Sequence, residues 1–336
     1  MRFTNIHRTI PHISIHTLKS KKTSSSKTLV ITGYDYFLQK RDLKFLLAKY
    51  AKIILVPKRL IDTESLVEVL LTVFAQNHQI HLVTNPAYDR QYEIIYQLSI
   101  KDSKIIEIST VHDFCEKCLK KTYVPETIEE SVFGLQKAQP FNWKILLSKK
   151  IMDILACCIL LPLTLPVWFL VFLVVKFQSP GHVFYKQKRL GHNNIEFECI
   201  KFRSMRLDAE ANGAKFASRN DDRVFPFGRL MRITRTDELP QLLNLLRGEI
   251  SLIGPRPERK VFVETFVEEI PYYNQRSVVK PGISGYAQVM YTYGTGVKDA
   301  RHKLMYDLYY ITNWSLTLEL TIVWRTLVTV LLSRGI

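Results

Sequence analysis

The run ILACCILLPLTLPVWFLVFLVV, residues 154–175, decides how this chain is read. It holds 22 residues without a charge, and at about 1.5 Å of helical rise per residue it matches a bilayer core of about 30 Å. Pro162 and Pro166 fall inside it, and each removes a helical N–H and crowds the carbonyl four residues back. Lys149 and Lys150 precede the run while Lys176, Lys186, Lys188 and Arg189 follow it. Basic flanks at both ends give no direction of crossing. Three readings are open: a single spanning helix, a buried core helix, and a segment that enters and leaves by one face. The prolines and the two-sided flanks favour the last, a re-entrant helix-break-helix over residues 149–177, provided the backbone freed at the bend finds partners.

Around this run the chain is ordinary in composition. Of its 336 residues 47% are hydrophobic and 23% charged, which excludes wholesale disorder, collagen-like repeats and a many-spanning membrane protein. The length suits two modest domains. A net charge of +16 asks for an anionic partner: lipid surface, phosphorylated substrate or nucleic acid. The cations gather near the apolar run rather than along an aromatic-interleaved groove, which argues against nucleic acid. Five cysteines are too few and too irregular for a disulfide framework, which points to a reducing compartment. Cys115 and Cys118 form a lone C-x-x-C on a helical pattern, read as helix surface rather than a zinc or redox site.

Upstream, residues 1–27 are rich in Lys and Arg, with no acid and no apolar stretch suited to a secretory signal. They are expected to form a basic, disordered leader able to rest on anionic lipid. From residue 28 to 124, apolar runs at Leu29–Thr32, Ile53–Val56, Ile80–Val83 and Ile105–Ile108 alternate with amphipathic stretches at Asp42–Tyr50 and Glu64–Phe74. The alternation predicts a small parallel α/β domain, Rossmann-like in type. Only Gly33 follows its first strand, so a docking or regulatory role is favoured over dinucleotide binding. The pattern lapses over residues 125–142, read as a linker, and residues 143–336 hold all four tryptophans, which suits a second domain that touches lipid. Its last apolar segment, Trp314–Leu332, carries Glu319 and Arg325 and reads as an amphipathic helix lying on protein or lipid.

Chemistry concentrates after the run. The stretch RITRTDELPQLLNLLRG, residues 232–248, predicts a helix with Thr236 as N-cap, Asp237 and Glu238 in its first turn, and Arg247 and Gly248 closing it. Two acids at a helix start are often only dipole partners. Arg232 and Arg235 just before them make the place a phosphate site as well, where a carboxylate can hold Mg²⁺ or attack phosphorus. Arg256 stands between Pro255 and Pro257, its fork on a stiff extended backbone suited to phosphate, unless the segment is merely a rigid turn. A hairpin is expected from Tyr185 to Met205, bringing Lys201 and Arg203 to lipid phosphates or a nucleotide diphosphate. The glycine turn KPGISGYAQ, residues 280–288, ends at Gln288 and serves either close approach to a ligand or a plain loop. No H-E-x-x-H or similar spacing occurs among the nine histidines, so Mg²⁺ is preferred to zinc.

These motifs, with KKIMD (149–153), QSPGHVFY (178–185), KFRSM (201–205), TDELPQ (236–241), GPRP (254–257), KPGISG (280–285) and YDLYY (306–310), resemble the bacterial sugar transferase family, the monotopic phosphoglycosyl transferases acting on polyprenyl phosphate. The resemblance covers residues 149–333. It implies an α+β monotopic membrane catalytic domain whose re-entrant helix bends at Pro166. It implies Asp237 as nucleophile with Mg²⁺, Glu238 as its partner, and Lys201, Arg232 and Arg256 as phosphate-binding cations; Arg203 of the hairpin and Gln288 of the glycine turn are the further candidate substrate contacts. The implied reaction moves sugar-1-phosphate from a UDP-sugar to undecaprenyl phosphate, initiating polysaccharide or glycan synthesis at the bacterial cytoplasmic membrane, with the catalytic domain facing the cytoplasm. The contrasting expectation is an inactive membrane-associated scaffold of the same fold. The sequence leaves the oligomeric state and the sugar open, and an oligomer is allowed. Three departures from the family pattern stand out: Leu165 replaces a familiar serine before Pro166, Tyr286 replaces a common tryptophan, and the four-helix membrane module of larger relatives is not expected before residue 28.

Overall fold

Short apolar runs bounded by polar turns make strands, and those of the first half do so here. The computed structural model describes residues 4–5, 16–20, 25–34, 37–57, 65–85, 104–127, 138–209, 221–291, 294 and 296–331. The chain divides into two compact units, Met1–Leu135 and Gln136–Ile336. In the first, β1 (Thr4–Asn5), β2 (His16–Lys19), β3 (Thr28–Tyr34), β4 (Lys52–Pro57), β5 (Ile80–Thr84) and β6 (Ile105–Thr110) form one sheet in the order β1-β2-β4-β3-β5-β6. Strands β3, β4, β5 and β6 pair in parallel. Helices Lys40–Lys49 and Ser65–Gln76 connect the first three of them. Val30, Ile54, Val56, Leu70, Val73, Phe74, Ile80 and Leu82 make one buried cluster, so the apolar face of the second helix closes over the sheet.

One expectation for this unit changes. Residues 16–19 belong to the basic leader by composition, yet β2 pairs antiparallel with β4, and Thr17 and Leu18 are buried. Charge content hid a short stretch that can add to an otherwise open sheet edge, where backbone pairing and one buried leucine suffice. The rest of the leader, apart from Thr4–Asn5 and residues 20 and 25–27, lies outside the described residues, as do residues 128–137 of the expected linker.

In the second unit the apolar run becomes one α-helix, Trp143–Gln178, of 36 residues, capped by Asn142, whose Oδ1 accepts from Ile145 N at 3.0 Å. The expected break at the prolines is not made: the helix continues through Pro162 and Pro166. Both prolines lie on its exposed side, where the ring has room. Between them Thr164 Oγ1 donates back to Leu160 O at 2.6 Å, a bond that bends helices rather than ending them. Buried and half-buried positions recur every three to four residues from Lys149 to Val175, so one face meets protein along its whole length. Cys157 packs with Leu242, Leu245 and Ile250. Farther on, Trp168, Val171 and Val175 pack with Val183, Phe202, Phe225 and Met231. The other face is apolar and open, with Leu163, Phe169 and Phe177 at 69%, 67% and 86% exposure.

The expected hairpin forms from β7 (Phe184–Leu190) and β8 (Glu196–Phe202), paired antiparallel. A parallel pair is formed by β9 (Ser251–Ile253) and β10 (Gly282–Ser284), with Leu252 N of β9 donating to Asp153 Oδ1 of the long helix at 2.7 Å. Its glycines are required by closeness: a Cβ on Gly282 would stand 2.1 Å from Gly254 N. Helices Pro226–Thr234, Gln241–Leu246, Lys260–Glu269, Tyr286–Met290, Val297–Thr312 and Leu316–Leu331 complete the unit. Gly228 lets the first of these lie directly on the chain after β8, since a Cβ there would meet Ser204 O at 2.1 Å.

Candidate active site

Both acids sit in a turn rather than in the first turn of a helix. Helix Pro226–Thr234 ends where Arg235 takes the left-handed conformation, φ 57°. A single 3-10 turn, Thr236–Glu238, follows, and the next helix starts only at Gln241. Thr236 therefore caps nothing, and its hydroxyl meets Thr234 Oγ1 at 3.0 Å instead. The expectation of one helix from Thr236 fails because Pro240 brings no N–H, and the left-handed residue turns the chain sharply. The outcome is two adjacent carboxylates turned into the protein beneath β8, with Asp237 at 7% and Glu238 at 9% exposure.

Their surroundings are unequal. Glu238 Oε1 accepts from Lys201 Nζ at 2.6 Å and from Arg256 Nη2 at 2.7 Å, and Arg235 Nη1 stands 4.0 Å from Oε2. Burial works to raise the Glu238 carboxyl, but Arg256 and Lys201 overcome it and hold the group well below the usual carboxylate range. Glu238 is thus a fixed anion. Asp237 accepts no hydrogen bond among the described residues. Burial pushes its carboxyl up to about 6, Glu238 adds to the rise, and Lys201, Arg232 and Arg256 pull against it. Arg256 gives Nη2 to Glu238, and among the described residues nothing accepts from its Nε or Nη1. The arrangement offers a buried carboxylate without a partner, bordered by cations with donors to spare, which can receive a phosphate and present an oxygen to it.

Of the residues singled out by sequence, Asp237, Glu238, Lys201 and Arg256 come together directly, and Arg232 joins through its field on Asp237. Arg203 does not: it is buried, and its two terminal nitrogens donate to Ser179 O and Pro180 O just past the long helix. It fastens the exit of that helix. Gln288 turns back on its own loop, Nε2 lying 3.4 Å from Ile283 O, and makes no hydrogen bond to the acids. Pro166 lies on the exposed face of the long helix. Two residues that sequence reading passed over support the site. Asn244, fully buried, takes Ile200 N on Oδ1 at 3.0 Å and donates to Glu198 O at 2.7 Å, fixing β8 and so Lys201. Arg276 donates to the carbonyl of Arg256 at 2.8 Å. Asn244 gave a signal, as an amide in the otherwise apolar LLNLL segment, residues 242–246; Arg276 gave none, because its partner Asp307 is 31 residues away.

Among the described residues no three His, Cys, Asp or Glu side chains converge on one point. A cation here would find the Asp237 carboxylate, which accepts no hydrogen bond among the described residues, while Glu238 Oε1 is taken by Lys201 and Arg256.

Known proteins of several bacteria are similar to this chain. Over 187 residues the chain is 46% identical to a UDP-N-acetylgalactosamine-undecaprenyl-phosphate N-acetylgalactosaminephosphotransferase of Aeromonas hydrophila, a match covering 56% of this chain and 44% of that protein. It is 38% identical over 182 residues to a UDP-glucose:undecaprenyl-phosphate glucose-1-phosphate transferase of Caulobacter vibrioides, covering 54% and 68%. With the exopolysaccharide production protein ExoY of Rhizobium meliloti it shares 36% identity over 206 residues, covering 56% and 88%. The chain thus spans less than half the length of the Aeromonas relative and most of ExoY. The sequence model described as bacterial sugar transferase matches residues 144–333. That is more than half of the chain and takes in the long helix, the acid turn and every cation around it, and on this ground the chain belongs to the bacterial sugar transferase family.

Proposed function

We propose that this chain is a membrane-bound phosphoglycosyl transferase that moves sugar-1-phosphate from a UDP-sugar to undecaprenyl phosphate, with Asp237 as the covalent nucleophile. One observation carries the reading: Asp237 is buried and accepts no hydrogen bond among the described residues, while its neighbour Glu238 is held through one oxygen by both Lys201 and Arg256. Two like carboxylates have been given different tasks by their surroundings, as acid pairs in enzymes are. The family membership and the undecaprenyl-phosphate transferase names of relatives support the same conclusion.

In the first step an Asp237 oxygen forms a bond to the sugar-proximal phosphorus, and the bond from that phosphorus to the bridging oxygen breaks. UMP leaves with the electron pair, and the sugar phosphate stays on Asp237. In the second, a phosphate oxygen of undecaprenyl phosphate attacks the same phosphorus and Asp237 departs as carboxylate. Lys201 and Arg256, fixed by Glu238, hold the non-bridging oxygens, and Arg232 adds positive field. Mg²⁺ fits this donor set, because it is commonly held by one or two carboxylates completed by water and substrate phosphates. Asp237 would hold it, and it would offset the repulsion between carboxylate and phosphate oxygens.

The packing of the long helix supports a monotopic, one-sided attachment, with the catalytic unit on the cytoplasmic face of the bacterial inner membrane; the helix-break-helix form of that attachment is not the one seen, since the helix runs unbroken through Pro162 and Pro166. A spanning helix needs about 20 successive residues in lipid, whereas here the face from Lys149 to Val175 is seated on the folded unit. Purified protein with Mg²⁺ and undecaprenyl phosphate, offered a panel opening with UDP-N-acetylgalactosamine and UDP-glucose, should release UMP only when lipid is present. Asp237→Asn should lower that release by about 10³-fold or more while membrane association persists. Near-normal turnover in the variant would overturn the assignment.

A further inference from the structure

The loop that carries Arg256 is tied down through its backbone to an unusual degree. Four successive carbonyls are each taken by a different donor. Pro255 O accepts from Gly282 N at 3.0 Å, Arg256 O from Arg276 Nη2 at 2.8 Å, Pro257 O from Arg189 Nη1 at 2.6 Å, and Glu258 O from Leu190 N at 2.9 Å. The donors come from β10, the 3-10 turn Tyr273–Val278 and the end of β7. Pro255 and Pro257 have fixed φ and no N–H, so this segment has little freedom of its own and few hydrogen bonds to give. Its place is set almost wholly from outside.

Two of those four donors are guanidinium groups on adjacent carbonyls, an expensive choice where a backbone N–H would serve. Arg276 is itself immobilised. Its Nε and Nη2 lie 3.1 and 2.8 Å from Asp307 Oδ2, its Nη1 donates to Tyr273 OH at 3.1 Å, and the guanidinium stands 5.3 Å from the Tyr273 ring centre. Asp307 is buried, at 1% exposure. Arg189 is held by Gln187 Oε1, which accepts from its Nε at 3.0 Å and its Nη2 at 2.9 Å. Neither arginine meets Asp237 or Glu238. Each is a short rigid strut from a fixed anchor to the backbone on which Arg256 stands.

We propose that Arg276, anchored by Asp307, and Arg189 are positioning residues that fix the backbone of Arg256 so that its guanidinium meets Glu238 and the donor diphosphate together. This rests on the reading of Arg256 as a donor-binding cation. A planar fork can hold Asp307 and the Arg256 carbonyl at once, and an ammonium cannot. Displacement of a binding group by about 1 Å is enough to lose on the order of 10²-fold in a step that depends on it.

The test is a set of double-substitution cycles on UDP affinity, measured by calorimetry in Mg²⁺ with the full chain in detergent, each protein's melting temperature being recorded alongside. Arg276→Lys keeps the charge facing Asp307, and Arg189→Gln changes a half-buried residue, so both are expected to fold. Arg256→Gln should weaken UDP binding about 30-fold, Arg276→Lys about 10-fold and Arg189→Gln about 3-fold. Combined with Arg256→Gln, either second change should add less than about twofold, because a strut has nothing left to position. A merely structural role would instead multiply the losses, or leave affinity unchanged while lowering the melting temperature, and either result overturns the proposal. Unchanged UDP affinity in Arg256→Gln would remove the premise and the proposal with it, and UMP release by that variant would then show whether the proposed reaction survives.

Discussion

At the scale of single residues, Asp237 and Glu238 differ by neighbours rather than by chemistry. Sequence reading found the pair and its cations, because acids beside arginines at a turn are visible as a pattern. It could not divide their labour, since that depends on Lys201 and Arg256, 37 residues before and 18 after Glu238, both closing on one of its oxygens. Nor could it separate Arg203 from Lys201, two positions apart on one segment yet bound to different partners. The division has a pH signature. Burial raises the Asp237 carboxyl to about 6, and in the proposed role of nucleophile it must be ionised. kcat/KM is therefore expected to fall about tenfold per pH unit below about pH 6 and to level off above it. Stability runs the other way. A carboxyl raised on folding favours the folded state fully below its unfolded value near 4 and loses that contribution as pH rises through about 6. Asp237→Asn, neutral throughout, should therefore stabilise the protein at pH 8 by up to about 3 kcal/mol, because a tenfold change in proton affinity is worth about 1.36 kcal/mol, and by little at pH 4. Equal gains at both pH values in thermal melts would show that Asp237 carries no burial penalty.

At the scale of elements, the long helix is fastened at its start by a buried ion pair. Lys149 Nζ donates to Glu319 Oε1 at 2.6 Å, Tyr310 OH at 2.7 Å and Ile253 O at 2.8 Å. Glu319 Oε2 accepts from Tyr310 OH and Trp314 Nε1, each at 2.9 Å. Every polar group of the cluster is satisfied, which is what allows charge so deep in an apolar setting. Sequence periodicity gave the helix around Glu319 and its amphipathic character, and it placed Lys149 among basic flanks. Neither signal could say that the two charges cancel each other inside the protein, because the pairing joins residues 170 positions apart. Lys149→Met should cost about 3–5 kcal/mol by leaving Glu319 buried without its cation, and adding Glu319→Leu should recover most of that loss. Denaturant titration of the two variants decides it: a single substitution costing under about 1 kcal/mol would mean that water replaces the ammonium.

At the scale of the molecule, an apolar helix of 36 residues has to serve both the folded unit it packs on and the membrane association its open face suggests. A straight rod of that length is about 54 Å long, more than a bilayer core needs. A crossing helix would nevertheless have to free some 20 consecutive residues from protein, and here Lys149, Asp153, Cys157, Trp168, Val171 and Val175 all meet the same unit. The opposite face is apolar from Ile151 and Ile154 through Leu163 to Leu173, ends at the exposed Lys176, and is the face available to lipid. On the last helix Leu320, Trp324 and Leu327 are also exposed, a pattern suited to resting in an interface. A net charge of +16 suits attraction to an anionic leaflet, and under the proposed one-sided attachment no part of the chain crosses. Tags at the two termini should therefore be protected together in sealed spheroplasts and become accessible together once the membrane is opened. Accessibility of one tag alone before opening would mean that the helix crosses, that its packed face leaves the protein in the membrane, and that the one-sided attachment argued from its contacts is wrong.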